Sequence, residues 1–166
     1  MDSEGIRMGL TGKLRALAEL VKIEHSVFAL PFAYVGAFLA AKGWPGWRVF
    51  LLLTLAMVAV RTYAMAFNRL ADLKYDRVNP RTRRRPLVTG EVSISEARLS
   101  LLVVAVVFVV CCGALNWLCL ALSPLALALA SFYSFMKRFT WLCHFVLGAV
   151  LGLSPLAGWL AVDPHL

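Results

Sequence analysis

Asn68, Asp72 and Asp76 stand four residues apart, and their types and spacing carry the clearest chemical content of the chain. If the apolar helix before them continues through Asp76, residues four apart sit about 40° apart around its axis and one turn along it. The three side chains then form one oxygen-bearing stripe. Two carboxylates a turn apart, with an amide below them, repel each other unless a cation lies between them. Hard oxygen donors of this kind suit Mg²⁺ better than a soft metal. Mg²⁺ usually keeps waters and shares its other positions with phosphate oxygens, so the stripe implies a phosphorylated ligand.

The segment after the stripe is basic. Arg81, Arg83, Arg84 and Arg85 offer forked donors to phosphate, and Pro80 and Pro86 are expected to hold the segment out of regular helix. The alternative is a solvated loop whose acids and bases merely neutralise each other, and spacing alone leaves both readings open. Arg61 lies nearly two turns before Asn68, on the same face. An arginine within an apolar span costs at least about 2.5 to 3.5 kcal/mol on insertion scales, so Arg61 is expected to face a polar cavity and not to snorkel to the headgroups. Lys137 and Arg138 end a later apolar run; they either complete a phosphate site or anchor the chain at the membrane surface.

These residues must be held by membrane helices. The chain has 166 residues, of which 61% are hydrophobic and 16% charged, with a mean hydropathy of +0.77. That balance excludes a disordered tail, a disulfide-stapled secreted module and an ordinary soluble domain. Crossing a hydrocarbon core of roughly 30 Å takes about 20 helical residues. Five stretches are expected to do so: His25 to Ala41, Trp47 to Phe67, Ala97 to Leu115, Leu118 to Met136 and Trp141 to Val162. The expected fold is an all-α bundle of transmembrane helices forming a single membrane domain over 1–166, with residues 68–96 as a ligand-binding loop. No small-residue cleavage site ends the first span as a signal peptide would require, so it is expected to be retained.

Basic residues set the orientation, because cytoplasmic loops hold an excess of Lys and Arg. With the N-terminus inside, all of the 17 basic residues except Lys42, Arg48 and Arg61 lie in inside segments. The net charge of +8 therefore belongs to one membrane face. The N-terminus and the polar stripe are expected to be cytoplasmic, in what is expected to be a bacterial inner membrane. The basic loop is tied to spans at both ends and lacks interleaved aromatics for base stacking, which argues against nucleic acid as a partner. Cys111, Cys112, Cys119 and Cys143 form no CxxC pair and read as buried small hydrophobes. His25 and His144 read as packing or interfacial residues, and Tyr133 as an interface anchor or a stacking surface. Gly148-x3-Gly152 and Gly158 read as sites of close helix packing.

Asn68-x3-Asp72-x3-Asp76, followed by Asn79-Pro80-Arg81-Thr82 and Arg85-Pro86-Leu87, resembles the first aspartate-rich motif of the UbiA superfamily of intramembrane aromatic prenyltransferases. The likeness extends to Arg61-x2-Ala64-Met65-x2-Asn68-Arg69 and to Tyr133-Ser134-Phe135-Met136-Lys137-Arg138. It is closest in wording to the 4-hydroxybenzoate polyprenyltransferase branch, including relatives assigned to menaquinone synthesis. Many members carry Asp where this chain has Arg69, and the family has further spans and a second aspartate-rich motif beyond the fifth. The resemblance therefore covers about the first half of a family member.

It implies that Asn68, Asp72 and Asp76 hold Mg²⁺ against the pyrophosphate of a polyprenyl donor, with Arg61, Arg81, Arg85, Lys137 and Arg138 around the phosphates. The allylic group would then pass to an aromatic acceptor such as 4-hydroxybenzoate, in ubiquinone or menaquinone synthesis. The partners implied are the polyprenyl pyrophosphate, the aromatic acceptor and the lipid bilayer. This chain alone is expected to be inactive, because one aspartate cluster supplies one wall of the site. The alternative function is a non-catalytic truncated membrane protein, or a binding or transport module that keeps only the pyrophosphate site. A phosphatidyltransferase is a poorer fit, since the Asp-Gly and Ala-Arg elements it needs are absent.

Overall fold

The computed structural model describes residues 29–136 and 143–165. Within them the chain is helical: α1 Leu30–Ala41, α2 Trp47–Asp76, the one-turn α3 Pro86–Thr89, α4 Ile94–Leu115, α5 Trp117–Met136 and α6 Cys143–Val162, with no strand among the described residues. The expected helices over the second to fifth spans are all present. The start of the first span, His25 included, lies outside the described residues, as do Lys137, Arg138 and the first two residues of the fifth span. α2, α4 and α5 are long and apolar enough to cross a membrane, and α1 and the second half of α6 are shorter apolar stretches.

Local chemistry explains the boundaries. Pro31 stands in the first turn of α1, where its missing N–H costs no hydrogen bond. Lys42 then takes a left-handed conformation, and Gly43 N–H bonds back to the Phe38 carbonyl. α4 opens on a capping box, in which the Ser93 hydroxyl accepts from Glu96 N–H and the Glu96 carboxylate accepts from Ser93 N–H. Asn116 starts α5 by accepting from Cys119 N–H, and its side-chain amide donates to the Leu160 carbonyl of α6 at 2.7 Å. Pro124 inside α5 cannot donate to the Leu120 carbonyl; the Ser123 hydroxyl does so instead, at 2.8 Å.

The cores are built from small residues. Ala56 and Ala59 of α2 meet Phe108, Cys111 and Cys112 of α4, while Ala33 and Ala37 of α1 meet Leu53 and Ala161. Large apolar side chains such as Leu102, Val103, Val106 and Val110 of α4 face outward. In a membrane this is the expected sorting, because lipid is as apolar as Leu and helices associate through close packing.

One expectation changes. Gly148 and Gly152 have open space around them among the described residues, so their spacing does not mark a helix contact here. The close approach falls on Gly158, as expected, and on Gly36 of α1. The basic segment between Pro80 and Pro86 is turn and not helix, as expected, and Pro86 itself occupies the first turn of α3, where its fixed φ suits a helix start.

Candidate functional site

α2 runs for 30 residues, which at 1.5 Å per residue is about 45 Å. That exceeds a hydrocarbon core of roughly 30 Å. Its apolar part ends near Phe67, and the remaining turns, Asn68 to Asp76, project as a polar extension. The helix is continuous through Asp76, so Asn68, Asp72 and Asp76 do lie on one helix at successive turns. Asn68 and Asp72 are half-buried, whereas Asp76 is 7% exposed.

The chain then folds back on the helix it has just left. The Asn79 side chain accepts from Arg81 N–H at 3.0 Å, and the Asn79 carbonyl accepts from the N–H groups of Thr82 and Arg83, a turn that Asn before Pro favours. Thr82 is buried and its hydroxyl donates to the Asp76 carbonyl at 3.1 Å. Arg85 N–H bonds to the Thr82 carbonyl, and the Arg85 guanidinium donates through Nη1 to Asp76 Oδ2 at 2.5 Å. Beyond it, Leu87 and Val92 pack with Ala66 and Ala97, flanked by Leu70, Leu73 and Leu101. This apolar patch fixes the basic segment against α2 and α4.

Four charged groups consequently share one region. Arg69 is half-buried and lies in the electrostatic field of Arg85, Asp76 and Asp72. Arg81, Arg83 and Arg84 are exposed on the turn. Arg61 is half-buried, and its Nε has no hydrogen-bond partner among the described residues, which is the condition of a side chain built to meet a ligand or water.

α5 runs beside α2 in the same direction. The Ser131 hydroxyl donates to the Leu127 carbonyl, so Tyr63 Oη donates to Ser131 Oγ at 3.0 Å. One turn on, the Phe67 and Phe135 rings meet edge to face at 5.7 Å between centroids. α5 therefore ends, at Met136, beside the start of the polar stripe. Lys137 and Arg138 come next and lie outside the described residues.

Sequence reasoning overlooked five participants. Thr82 was detectable as part of an Asn-Pro turn. Arg69 stood out only as a missing ligand, although its position seven residues before Asp76 puts it on that residue's side of the helix. The Tyr63 to Ser131 bond and the buried hydroxyl of Ser134, unpartnered among the described residues, depend on which face of α5 meets the rest of the bundle.

The donor set suits a hard divalent cation held together with a phosphate group. Asn68 and Asp72 provide amide and carboxylate oxygens, and the described residues contain no cluster of three His, Cys, Asp or Glu able to hold a metal by themselves. Protein oxygens from one wall, completed by ligand oxygens, is the arrangement Mg²⁺ commonly takes.

Residues 29–166 match the UbiA prenyltransferase family. A 4-hydroxybenzoate octaprenyltransferase from Methylobacillus flagellatus is 34% identical, with 91% of this chain and 56% of that protein aligned. One from Pseudoalteromonas atlantica is 39% identical, over 75% of this chain and 44% of its own length. Among solved structures, the apo form of a UbiA homolog from Aeropyrum pernix K1 superposes with a TM-score of 0.78 at 42% identity, over 85% of this chain and 51% of that one. A UbiA homolog from Archaeoglobus fulgidus bound to GPP and Mg²⁺ shares the fold at a TM-score of 0.70 and 22% identity, over 89% of this chain and 54% of that one. The chain spans about half the length of the relatives it matches.

Proposed function

We propose, from the premise that this chain belongs to the UbiA prenyltransferase family and is an integral membrane protein, that it carries the pyrophosphate-binding half of a Mg²⁺-dependent polyprenyltransferase. The donor is an allylic polyprenyl pyrophosphate and the acceptor an aromatic acid such as 4-hydroxybenzoate, in line with the names of its relatives. The observation that carries this reading is the convergence of Asn68, Asp72 and Arg69 with the Asp76 and Arg85 pair at the polar end of α2.

Asn68 and Asp72 would hold the metal from one wall, and Asp76 shares the stripe while bonded to Arg85. Bound Mg²⁺ would supply charge neutralisation for the departing pyrophosphate. Arg81 is exposed on the turn and Arg85 is half-buried beside Asp76, and the forked donors of both would bind phosphate oxygens. Arg61, deeper in α2, brings its Nε, unpartnered among the described residues, to the face shared by Asn68, and Lys137 and Arg138, which follow α5 in the sequence, would add further donors. As the carbon–oxygen bond to pyrophosphate breaks, these donors stabilise the negative charge that accumulates on the leaving group. The electron-rich ring of the acceptor then forms a carbon–carbon bond to the allylic carbon and loses the ring proton from that position to solvent, which restores its aromaticity. A long isoprenoid tail requires an apolar channel, which is why the phosphate site stands at the end of membrane helices. The excess of Lys and Arg in the sequence segments on that side supports a cytoplasmic N-terminus and cytoplasmic residues 68–96, with the chain in a bacterial inner membrane.

The test uses the purified chain in lipid nanodiscs with a radiolabelled allylic pyrophosphate. Retention that requires Mg²⁺ and is lost in Asp72→Asn supports the reading. Equal retention with and without Mg²⁺, or none in either condition, sinks it. Addition of 4-hydroxybenzoate then tests transfer, which would appear as label in a prenylated acid and is expected to be absent with this chain alone.

A further inference from the structure

Asp76 differs from its two companions on the stripe. It is the last residue of α2, it is nearly buried, and both of its polar ends are engaged by the turn that follows. Its backbone carbonyl accepts from the Thr82 hydroxyl, and its Oδ2 accepts from Arg85 Nη1. The two paired side chains are 10% and 30% exposed, so this is a half-sheltered ion pair and not a solvated surface contact. We infer that Asp76 is a positioning residue that acts through Arg85, setting its guanidinium for the phosphate groups, while direct metal binding falls to Asn68 and Asp72; this rests on the pyrophosphate reading above.

Three features support the division. Electrostatics comes first: the Asp76 carboxylate is already paired with the Arg85 guanidinium, and a divalent cation drawn to it would meet that positive charge at close range. Asp72 lies one turn farther from Asp76, the anchoring point of the Arg85 side chain. Secondly, the Arg85 backbone is fixed independently of its side chain. Its N–H bonds to the Thr82 carbonyl, it immediately precedes Pro86 of α3, and Leu87 packs with Ala66 and Ala97. The bond to Asp76 thus settles the remaining freedom of a long side chain before any ligand arrives, which lowers the ordering cost of binding. Lastly, a guanidinium has five N–H donors, so one bond to Asp76 leaves a forked set for a phosphate.

The experiment is calorimetry on the full chain in nanodiscs, with inorganic pyrophosphate and Mg²⁺ as probes. Two quantities are measured for each variant: pyrophosphate affinity at saturating Mg²⁺, and the Mg²⁺ concentration giving half-maximal pyrophosphate binding. Asp76→Asn and Arg85→Gln are each expected to weaken pyrophosphate by about tenfold, with the Mg²⁺ half-saturation unchanged. The double variant is expected to be no worse than Arg85→Gln alone, since both remove one interaction. Asp72→Asn is expected to raise the Mg²⁺ half-saturation instead. If Asp76→Asn raises it as Asp72→Asn does, or if Arg85→Gln makes Mg²⁺ bind more tightly by releasing a carboxylate, Asp76 is a metal ligand and the inference is overturned. Should Asp76→Asn misfold by circular dichroism, the Arg85→Gln result decides by the same criterion. Failure of the unmodified chain to bind pyrophosphate with Mg²⁺ removes the pyrophosphate reading and this inference with it.

Discussion

Gly36 of α1 and Gly158 of α6 each lie against the other helix's backbone: a Cβ on Gly36 would fall 1.8 Å from the Pro155 carbonyl oxygen, and one on Gly158 would fall 1.9 Å from that of Ala33. The two helices therefore touch main chain to main chain, and no side-chain adjustment can relieve an added methyl. Gly36→Ala or Gly158→Ala is expected to destabilise the bundle by about 1 to 3 kcal/mol or to separate α1 from α6. Gly148→Ala and Gly152→Ala, whose added methyls enter open space, are expected to be neutral or slightly stabilising through helix propensity. Thermal unfolding of the four variants in one detergent checks the ordering, and equal melting temperatures for all four would refute it.

Metal binding gives the second prediction. Asp72→Asn keeps the size of the side chain and removes its charge at a half-buried position outside the apolar cores. Insertion and melting temperature are expected to stay near those of the unmodified chain, while Mg²⁺-dependent retention of an allylic pyrophosphate falls by about a hundredfold, the loss of roughly 2.7 kcal/mol. Asn68→Ala is expected to cost less, because a neutral amide holds a divalent cation more weakly than a carboxylate. A flotation assay for insertion and a retention assay run side by side separate a binding defect from a folding defect.

Much of this arrangement is legible in the sequence because each part of it is local. The continuity of α2 through Asp76 follows from an apolar run that passes without Gly or Pro into a polar stretch, and the capping box of Ser93 and Glu96 marks the next start. What escaped depends on contacts between distant segments. Asp76 and Arg85 are nine residues apart and meet only because the Asn79 turn reverses the chain. Gly148-x3-Gly152 describes one helix face, whereas a close approach needs a partner backbone opposite, and α1 meets α6 at Gly158 instead. Small-residue spacing states what a face permits; the register of the neighbouring helix decides whether it is used.

Topology supplies the third prediction. Val78 is 83% exposed on the turn after α2, and Lys42 is exposed at the opposite end of that helix, in a left-handed conformation that Cys tolerates about as well as Lys. In a background lacking the four native cysteines, Val78→Cys is expected to label only after a membrane-impermeant thiol reagent gains the cytoplasm. Lys42→Cys is expected to label from outside in intact cells. Labelling of both from the same side would mean that α2 does not cross the bilayer.

Arg61 provides the sharpest separation of stability from function. Its Nε is buried in α2 without a hydrogen-bond partner among the described residues, and an unsatisfied donor on a charged group away from water is a cost to the folded state. A residue kept only for stability would not be left in that condition. Arg61→Leu and Arg61→Gln are therefore expected to leave the melting temperature unchanged or to raise it by a few degrees. Each is also expected to weaken allylic pyrophosphate binding about tenfold or more, through loss of a charged donor. Arg61→Lys tests whether the fork matters: it retains the charge but not the planar donor pair, and is expected to recover the stability cost with only part of the affinity. Ligand-dependent shifts in melting temperature measure both properties in one experiment, because the shift scales with affinity at fixed ligand concentration. A drop in melting temperature in Arg61→Gln with an undiminished ligand shift would show that Arg61 holds the helices together and does not meet the phosphate.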